Sequence, residues 1–477
     1  MTANRVGSPP IRCEALLLRG FVAGRLAAQA GHNALAMADS EQTTAKSWLV
    51  RARAAFAPVQ EDASVTSVEG RKRAFFLLFC CLIANGIGQT LMFAILPPLA
   101  RDLGLSEFAV GSIFAVSATI WVLTSPFWGR RSDLWGRRPI ILIGLASFGL
   151  STFGFATALY VGLQHWFVPT TIFVLLTLTR CVYGLFGSGT YPAAQAYIAD
   201  RTSFSERTEA IAGLNAAFGL GQAVGPGIGA ALIILGATAP LYFVALLGFA
   251  SAAVIWLLLP ERSRPHERRE LPKLKWNDPR VLPFIIFGVM MGTAGAIPIQ
   301  TIGFLLGDTL KLSVGDTTQL AGVGLMASSI ASLFAQFVLV QRFKLTTRFL
   351  MRAGTVVGLC SNLIFLVAPN YGLIVFALVL SGLGFGMVRP GYAAAASLAV
   401  PPDEQGSVAG LTGAAGASGF IFAPLIGNAL YGLSPHAPYL LGAILMLILA
   451  IYSLFSRRFH NSVTMPSEDM ESALPPS

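Results

Sequence analysis

Asp133 stands in Gly129-Arg-Arg-Ser-Asp133-Leu-Trp-Gly136-Arg137-Arg138, one carboxylate among four arginines. Opposite charges this close favour each other's ionised form and can hold a tight turn between two helices. A carboxylate there can also face the N-terminal end of a neighbouring helix and gain from its dipole. Such a network can latch or release segments; it makes and breaks no bonds. Two further arginines, Arg180 and Arg389, lie inside long apolar runs. An arginine at the centre of a bilayer span costs about 2.5–3.5 kcal/mol or more to insert, so each must face a cavity or a partner. The guanidinium of Arg389, in Gly386-Met-Val-Arg389-Pro390-Gly391-Tyr392, offers five fixed donors suited to a carboxylate or phosphate. Snorkelling, or bonding to carbonyls freed beside Pro390, is an equally weighted alternative.

The elements that position these charges follow from composition. Of 477 residues, 54% are hydrophobic and 12% charged, against about 25% charged in a soluble domain. The apolar residues come in runs of 20 or more, long enough to cross the roughly 30 Å hydrocarbon core as helices. The fold class is therefore an all-α polytopic membrane protein. Twelve spans are read near 74–99, 107–128, 139–162, 168–196, 208–234, 238–259, 281–306, 317–341, 347–368, 372–398, 404–432 and 437–456. Five cysteines (Cys13, Cys80, Cys81, Cys181 and Cys360) show no metal spacing, and four of them lie in apolar runs, which argues against a disulfide framework and a zinc site. No metal site, nucleotide loop or nucleophile–base arrangement is present, so an enzyme is not expected.

The net charge of +10 is explained by its placement. With the N-terminus in the cytoplasm, the inside loops and span ends hold 22 Lys and Arg, and the outside loops only Arg101 and Lys311. The positive-inside rule then puts both termini in the cytoplasm of a cell inner or plasma membrane, and no nucleic-acid partner is needed. A basic linker at 261–280 separates a half at 74–260 from a half at 281–456. Residues 1–73 form a cytoplasmic extension without a core pattern, in which 15–30 and 46–56 could lie on the membrane surface as amphipathic helices. Met37 offers a second start, in which case residues 1–36 are not translated. The polar tail 457–477 is expected to be disordered.

The halves repeat. Ala212-Gly213-Leu214 through Gly219 recurs as Ala409-Gly410-Leu411 through Gly416. Gly221, Pro226, Gly229 and Leu232 recur as Gly419, Pro424, Gly427 and Leu430, and Gly184 and Pro192 stand 198 residues before Gly382 and Pro390. Order with near-constant offset marks an internal duplication.

Twelve spans in two such halves resemble the major facilitator superfamily, and three motifs sharpen the resemblance over about residues 72–458. Gly129, Asp133, Gly136, Arg137 and Arg138 match that superfamily's loop motif, with Leu134 where a basic residue is usual. Arg180-x-x-Tyr-Gly184-x-x-Gly187 is similar to its second motif. Gly221-x-x-x-Gly225-Pro226-x-x-Gly229 resembles the antiporter motif of the twelve-span drug:proton branch. The resemblance implies that the Asp133 cluster, with Asp200 as partner, locks the halves in the outward-open state; the plainer alternative is that its arginines only enforce topology. It gives Arg180 a structural or proton-relay role. It also implies that the glycine seam, bent by Pro226, seals against leak, with span eight as the expected neighbour.

All 23 Asp and Glu and all five His fall in loops, tails or span ends. A buried carboxylate is the simplest way to neutralise a cation and to carry a proton, so a dedicated cation exporter is disfavoured. Asp133, Asp200 and Glu209 inside, with Asp102, Glu107 and Asp308 outside, remain for proton coupling. Span one offers Asn85 and Gln89 instead. Trp121, Tyr183, Tyr191, Tyr392 and Phe420, with Phe127, Trp128 and Phe422, are candidates to line a central cavity; packing is the commoner role of such aromatics. The function this points to is proton-coupled efflux of amphipathic small molecules by alternating access, without cofactor and as a monomer. An organic-anion or metabolite transporter using Arg389 and Arg180 is the alternative, and a non-transporting sensor or scaffold the alternative of another class.

Overall fold

A backbone in hydrocarbon has no water to bond and must satisfy its own N–H and C=O groups, which leaves the helix as the way for an open chain to cross. The structure, a computed structural model, describes residues 68–202, 204–260, 274–343, 345–401 and 404–456. Among the described residues the elements are all helical. The extension to residue 67 with Met37, most of the basic linker and the tail from 457 lie outside them.

Among the described residues, twelve helices are long and apolar enough to cross a membrane. They are Glu69–Asp102, Glu107–Trp135, Arg137–Leu163, Pro169–Ala199, Gly213–Leu235 and Ala239–Leu258, then Leu282–Leu310, Val314–Val340, Thr347–Val367, Tyr371–Ser397, Ser407–Leu433 and Ala437–Phe455, numbered below as spans one to twelve. Span two departs most from expectation at its end: its helix continues to Trp135, so Gly129 and Asp133 sit on the helix and not in a loop. The turn is confined to Gly136, whose φ of 96° suits only glycine.

The sequence repeat is a structural one. The Gly184 Cα of span four lies against the Ser117 carbonyl of span two, and Gly382 of span ten lies against the Ser328 carbonyl of span eight. Arg138 donates to the Ile255 and Trp256 carbonyls ending span six. Arg352 donates to the Ser453 and Leu454 carbonyls ending span twelve, at 3.2 and 2.9 Å. Each arginine satisfies orphan carbonyls at a helix C-terminus, where positive charge is favoured.

The halves meet through the same symmetry. Gly322 of span eight faces the Pro226 carbonyl of span five, and Gly111 of span two faces the Pro424 carbonyl of span eleven. These crossings lie toward the end of the molecule that carries Arg101, Glu107, Asp308 and Tyr431, here the Arg101 face. There, one apolar core runs through both halves, with Leu91, Leu96 and Phe114 packed among Ile297, Phe304 and Leu325. Toward the opposite end, the Asp133 face, the core divides. Leu78, Ile140, Leu145 and Ile255 belong to one half alone, and Phe287, Met351, Val388 and Leu449 to the other. The molecule is closed at the Arg101 face and split at the Asp133 face.

The glycine seam corrects one expectation. Gly221 and Gly225 of span five face the Ile83 and Ile87 carbonyls of span one, and Gly229 faces Leu91. The seam is built within one half, against span one; Pro226 and Gly227 next to it, not the motif glycines, meet span eight. Gly86 of span one answers Gly221 so closely that neither position has room for a methyl group. Pro226 lacks an N–H and frees the Gln222 carbonyl, which accepts from Thr90 Oγ1 at 3.1 Å.

Gly221→Val is expected to cost about 1–3 kcal/mol by overpacking, seen as a lower melting temperature or lost folded yield of the purified protein. Gly410→Ala, whose added carbon meets nothing within 4 Å, is expected to leave the melting temperature unchanged.

Candidate functional site

At the Asp133 face, the helix of span two delivers Asp133 and the first turn of span three delivers Arg137. The two form an ion pair four residues apart across Gly136. Arg137 Nε also donates to Asp200 at 3.1 Å, at the end of span four. One guanidinium thus joins three spans of one half, with side-chain exposures of 17% for Arg137, 23% for Asp133 and 35% for Asp200. Asp133 and Asp200 are brought together through Arg137. Arg138 is turned away to span six. Nothing lies within 4 Å of a carbon added at Gly129. The side chain of Glu209 lies outside the described residues. In the other half, Arg280 pairs with Asp278 at 2.8 Å and Glu404 at 2.9 Å, and its hydrogen bonds hold the Asp278 carboxyl below the usual carboxylate range.

At the Arg101 face another network joins the halves. Arg101, ending span one, pairs with Asp308 of span seven and with Glu107 of span two at 3.0 Å. Tyr431 of span eleven donates to Asp308 at 2.8 Å. The sequence offered Asp308 and Glu107 only as outside carboxylates. Their common partner Arg101 is 207 residues from Asp308, and no local pattern marks a pair so distant.

Between the faces, one half holds a buried polar cluster. Tyr183 donates to Asn85 Oδ1 at 2.9 Å and accepts from Gln89 at 3.4 Å. Asn85 and Tyr183 are 3% and 1% exposed, so both are packed in the core and neither lines an opening, correcting the expectation for them. Arg180 is 5% exposed. It donates to Met92 Sδ at 3.2 Å and lies over Phe114 and Tyr183 at 5.9 and 5.4 Å. Its Nε has no partner among the described residues.

The cleft that opens between the halves toward the Asp133 face has a different lining. At its closed end Phe420 of span eleven stacks on Phe93 of span one, 6.2 Å between rings. Trp121 and Gln89 are partly exposed beneath. Nearer the opening, Tyr191 bonds Asn215 and Gln195 approaches the same oxygen at 3.4 Å; Asn215 is exposed. Arg389 of span ten is exposed. Tyr392, by contrast, is 3% exposed, stacked on Phe287 with 5.6 Å between rings; burial removes it from the cleft. Trp128 is also buried, bonded to the Leu185 carbonyl. Phe127 carries the Arg131 guanidinium at 5.3 Å, and Phe422 is 42% exposed. Among the described residues, no group of three or more His, Cys, Asp or Glu could hold a metal ion.

A model of the Major Facilitator Superfamily matches residues 78–424 and again 344–473. The chain is 25% identical over 396 residues to Multidrug resistance protein 2 of Bacillus subtilis (strain 168), covering 80% of this chain and 94% of that protein. It is 27% identical over 377 residues to Quinolone resistance protein NorA of Staphylococcus aureus (strain MRSA252), covering 77% and 92%. Among solved structures, it superposes on a bacterial homolog of the human lysosomal transporter Spinster in an inward-facing, occupied conformation. That match has a TM-score of 0.64 at 15% identity and covers 84% of this chain and all of the other.

The Arg101 network is half exposed, at 43% for Arg101 and 33% for Asp308, and such pairs are worth up to about 1 kcal/mol. It biases the closed face and the shared apolar core carries the seal. Arg101→Ala is therefore expected to raise the population open at this face about fivefold at most. Spin labels at positions 102 and 312 of a cysteine-free variant would read this as a growing long-distance component; an unchanged distribution would show that the ion pair contributes nothing.

Proposed function

We propose that this chain, which belongs to the Major Facilitator Superfamily, exports amphipathic small organic molecules by alternating access, driven by proton exchange. That it is a multi-pass membrane transporter follows from the family and its twelve spans. The observation that supports the finer reading is the division of the core: one continuous core at the Arg101 face and two separate cores at the Asp133 face. A cleft between two internally packed halves is what rocking about a central site requires. Efflux as the direction, and drug-like molecules as cargo, are supported by relatives named for multidrug and quinolone resistance.

The positive-inside rule supports assigning the Asp133 face, which carries Arg137, Arg138, Arg280 and Arg352, to the cytoplasm. Both termini then lie inside, and the present state faces inward. The open space at Gly129 of span two and at Gly410 and Gly413 of span eleven supports the gating role of the Asp133 motif. Spans two and eleven already meet at the other face through Gly111 and the Pro424 carbonyl. Closing the Asp133 face would bring their glycine-bearing ends together in the same way, beside the Arg137 network. Asp133 and Asp200, bound to one arginine, are the carboxylates this reading gives to proton release at the cytoplasmic side. The two halves form a complete unit, and the working form is a monomer.

The test is export of a fluorescent amphipathic dye from inverted vesicles or cells lacking other pumps, with and without a protonophore. Wild-type protein is expected to export dye, and collapse of the proton gradient to stop it. Asp133→Asn is expected to lower flux at least tenfold at unchanged membrane abundance. Equal flux by wild-type protein and Asp133→Asn would remove the gating role, and flux indifferent to the protonophore would remove proton coupling.

A further inference from the structure

Tyr191 and Arg389 occupy the same place in the two repeats. Each immediately precedes the proline that marks its span, Pro192 in span four and Pro390 in span ten, and the offset of 198 that relates Gly184 to Gly382 also relates Tyr191 to Arg389. The packing of Gly184 and Gly382 against symmetry-related serine carbonyls carries that offset into space. Positions related by a two-fold axis lie opposite one another across it, and Arg389 is within electrostatic reach of Tyr191. One side of this pair is neutral and tied down: Tyr191 bonds Asn215, and Gln195 approaches the same oxygen. The other is a permanent cation, exposed in the cleft and without a hydrogen bond or ion pair among the described residues.

Snorkelling and bonding to backbone carbonyls are the competing roles for Arg389. Carbonyl bonding by an arginine has a clear form in this protein: Arg138 and Arg352 each donate to carbonyls at a helix end. Arg389 makes no such bond among the described residues. No Asp or Glu lies mid-span to neutralise it. Asp133 and Asp200 pair with Arg137 and Asp308 with Arg101, and among the described residues no carboxylate pairs with Arg389. The cleft therefore presents a positive centre near its mouth and, farther in, the apolar faces of Trp121 and Phe420. A cationic amphiphile would meet only repulsion at that centre.

We propose that Arg389 is an anion-recognising residue of the cleft and that the transported amphiphile carries a carboxylate or another oxyanion. The guanidinium fork holds the anionic group from one half while the Tyr191–Asn215 pair of the other half supplies polar contact, and the apolar body lies toward Phe420. The proposal rests on the efflux reading and narrows it from amphiphiles in general to acidic ones. A phospholipid headgroup offers the same oxyanion chemistry and could enter the same cleft.

The experiment uses the full-length protein in phosphatidylcholine nanodiscs and three naphthyl-alkyl probes of one skeleton, ending in a carboxylate, its methyl ester or a primary amine. Binding is read by fluorescence. The wild-type protein is expected to bind the acid at least tenfold more tightly than the ester, and the amine most weakly. Arg389→Ala is expected to erase the difference between acid and ester while leaving ester affinity unchanged, and Arg389→Lys to keep part of it. Adding phosphatidylglycerol to the discs separates the sources: displacement of the acid probe would assign the oxyanion site to lipid, and continued binding would assign it to the soluble amphiphile. Equal binding of acid and ester by the wild-type protein, or a parallel loss of all three probes in both Arg389 variants with melting temperatures unchanged, would overturn the proposal. Dye export persisting in the first case would leave the efflux reading standing without the anion site.

Discussion

The closed face of this molecule depends on glycine placed against a carbonyl. In lipid there is little hydrophobic force between helices, so association relies on close packing. Two crossings related by the internal symmetry, Gly322 on Pro226 and Gly111 on Pro424, let the backbones of opposite halves approach without side chains between them. The prolines serve the same end. Each bends its helix and interrupts its hydrogen-bond ladder, and in span five the freed Gln222 carbonyl is taken up by Thr90 of span one. Bending without an unsatisfied group is what allows the span-five helix to lie on span one through Gly221 and on span eight beyond Pro226. The shared core and the Arg101–Asp308 pair come after this approach and require it.

Desolvation decides where the charges are. A carboxylate or ammonium in the middle of the bilayer is costly, and the chain keeps its acids at the rims, where Asp133, Asp200, Glu107, Asp308, Asp278 and Glu404 each pair with an arginine. The rim networks differ in what they join. Arg137 links spans two, three and four of a single half, while Arg101 links span one to span seven across the halves. Among the described residues, the ion pairs that join the halves lie at the Arg101 rim, and those at the Asp133 rim stay within one half. The two networks share no residue, so breaking the Arg101 bridge leaves the pairs of the Asp133 cluster in place.

The spans and the duplication are legible in the sequence because hydrophobic length and glycine spacing are local signals. What local signals do not carry is which face of each helix is turned to which neighbour. Gly221, Gly225 and Gly229 do share one stripe, but the stripe faces span one, since nothing in a four-residue spacing names its partner. Asn85, Tyr183 and Tyr392 have the right chemistry for a cavity and are buried, because a polar tip in an apolar core can be satisfied by a neighbour, as Tyr183 is by Asn85. The polar composition of the Asp133 motif suggests a loop, yet the helix runs on to Trp135; past the hydrocarbon, water and headgroups tolerate arginines on a helix. The roles of Arg352 and Arg101 are hidden for a third reason, namely that their partners are on other spans.

Symmetry also explains why one arginine in the cleft carries more meaning than several aromatics. A duplicated scaffold starts with equal residues on both sides of its axis, and the crossings, the serine-carbonyl contacts and the arginine caps have stayed equal or nearly so. Tyr191 and Arg389 have not. Scaffold positions are held alike because both halves must pack by the same rules, whereas Tyr191 is tied into its own half by Asn215 and Phe218 and Arg389 is exposed without such a partner among the described residues. A charge that survives there, unpaired and costly to insert, has no packing task within the described region to account for it. That is the ground on which the proposal gives it a partner that enters the cleft, with the sign of its charge setting the sign of that partner.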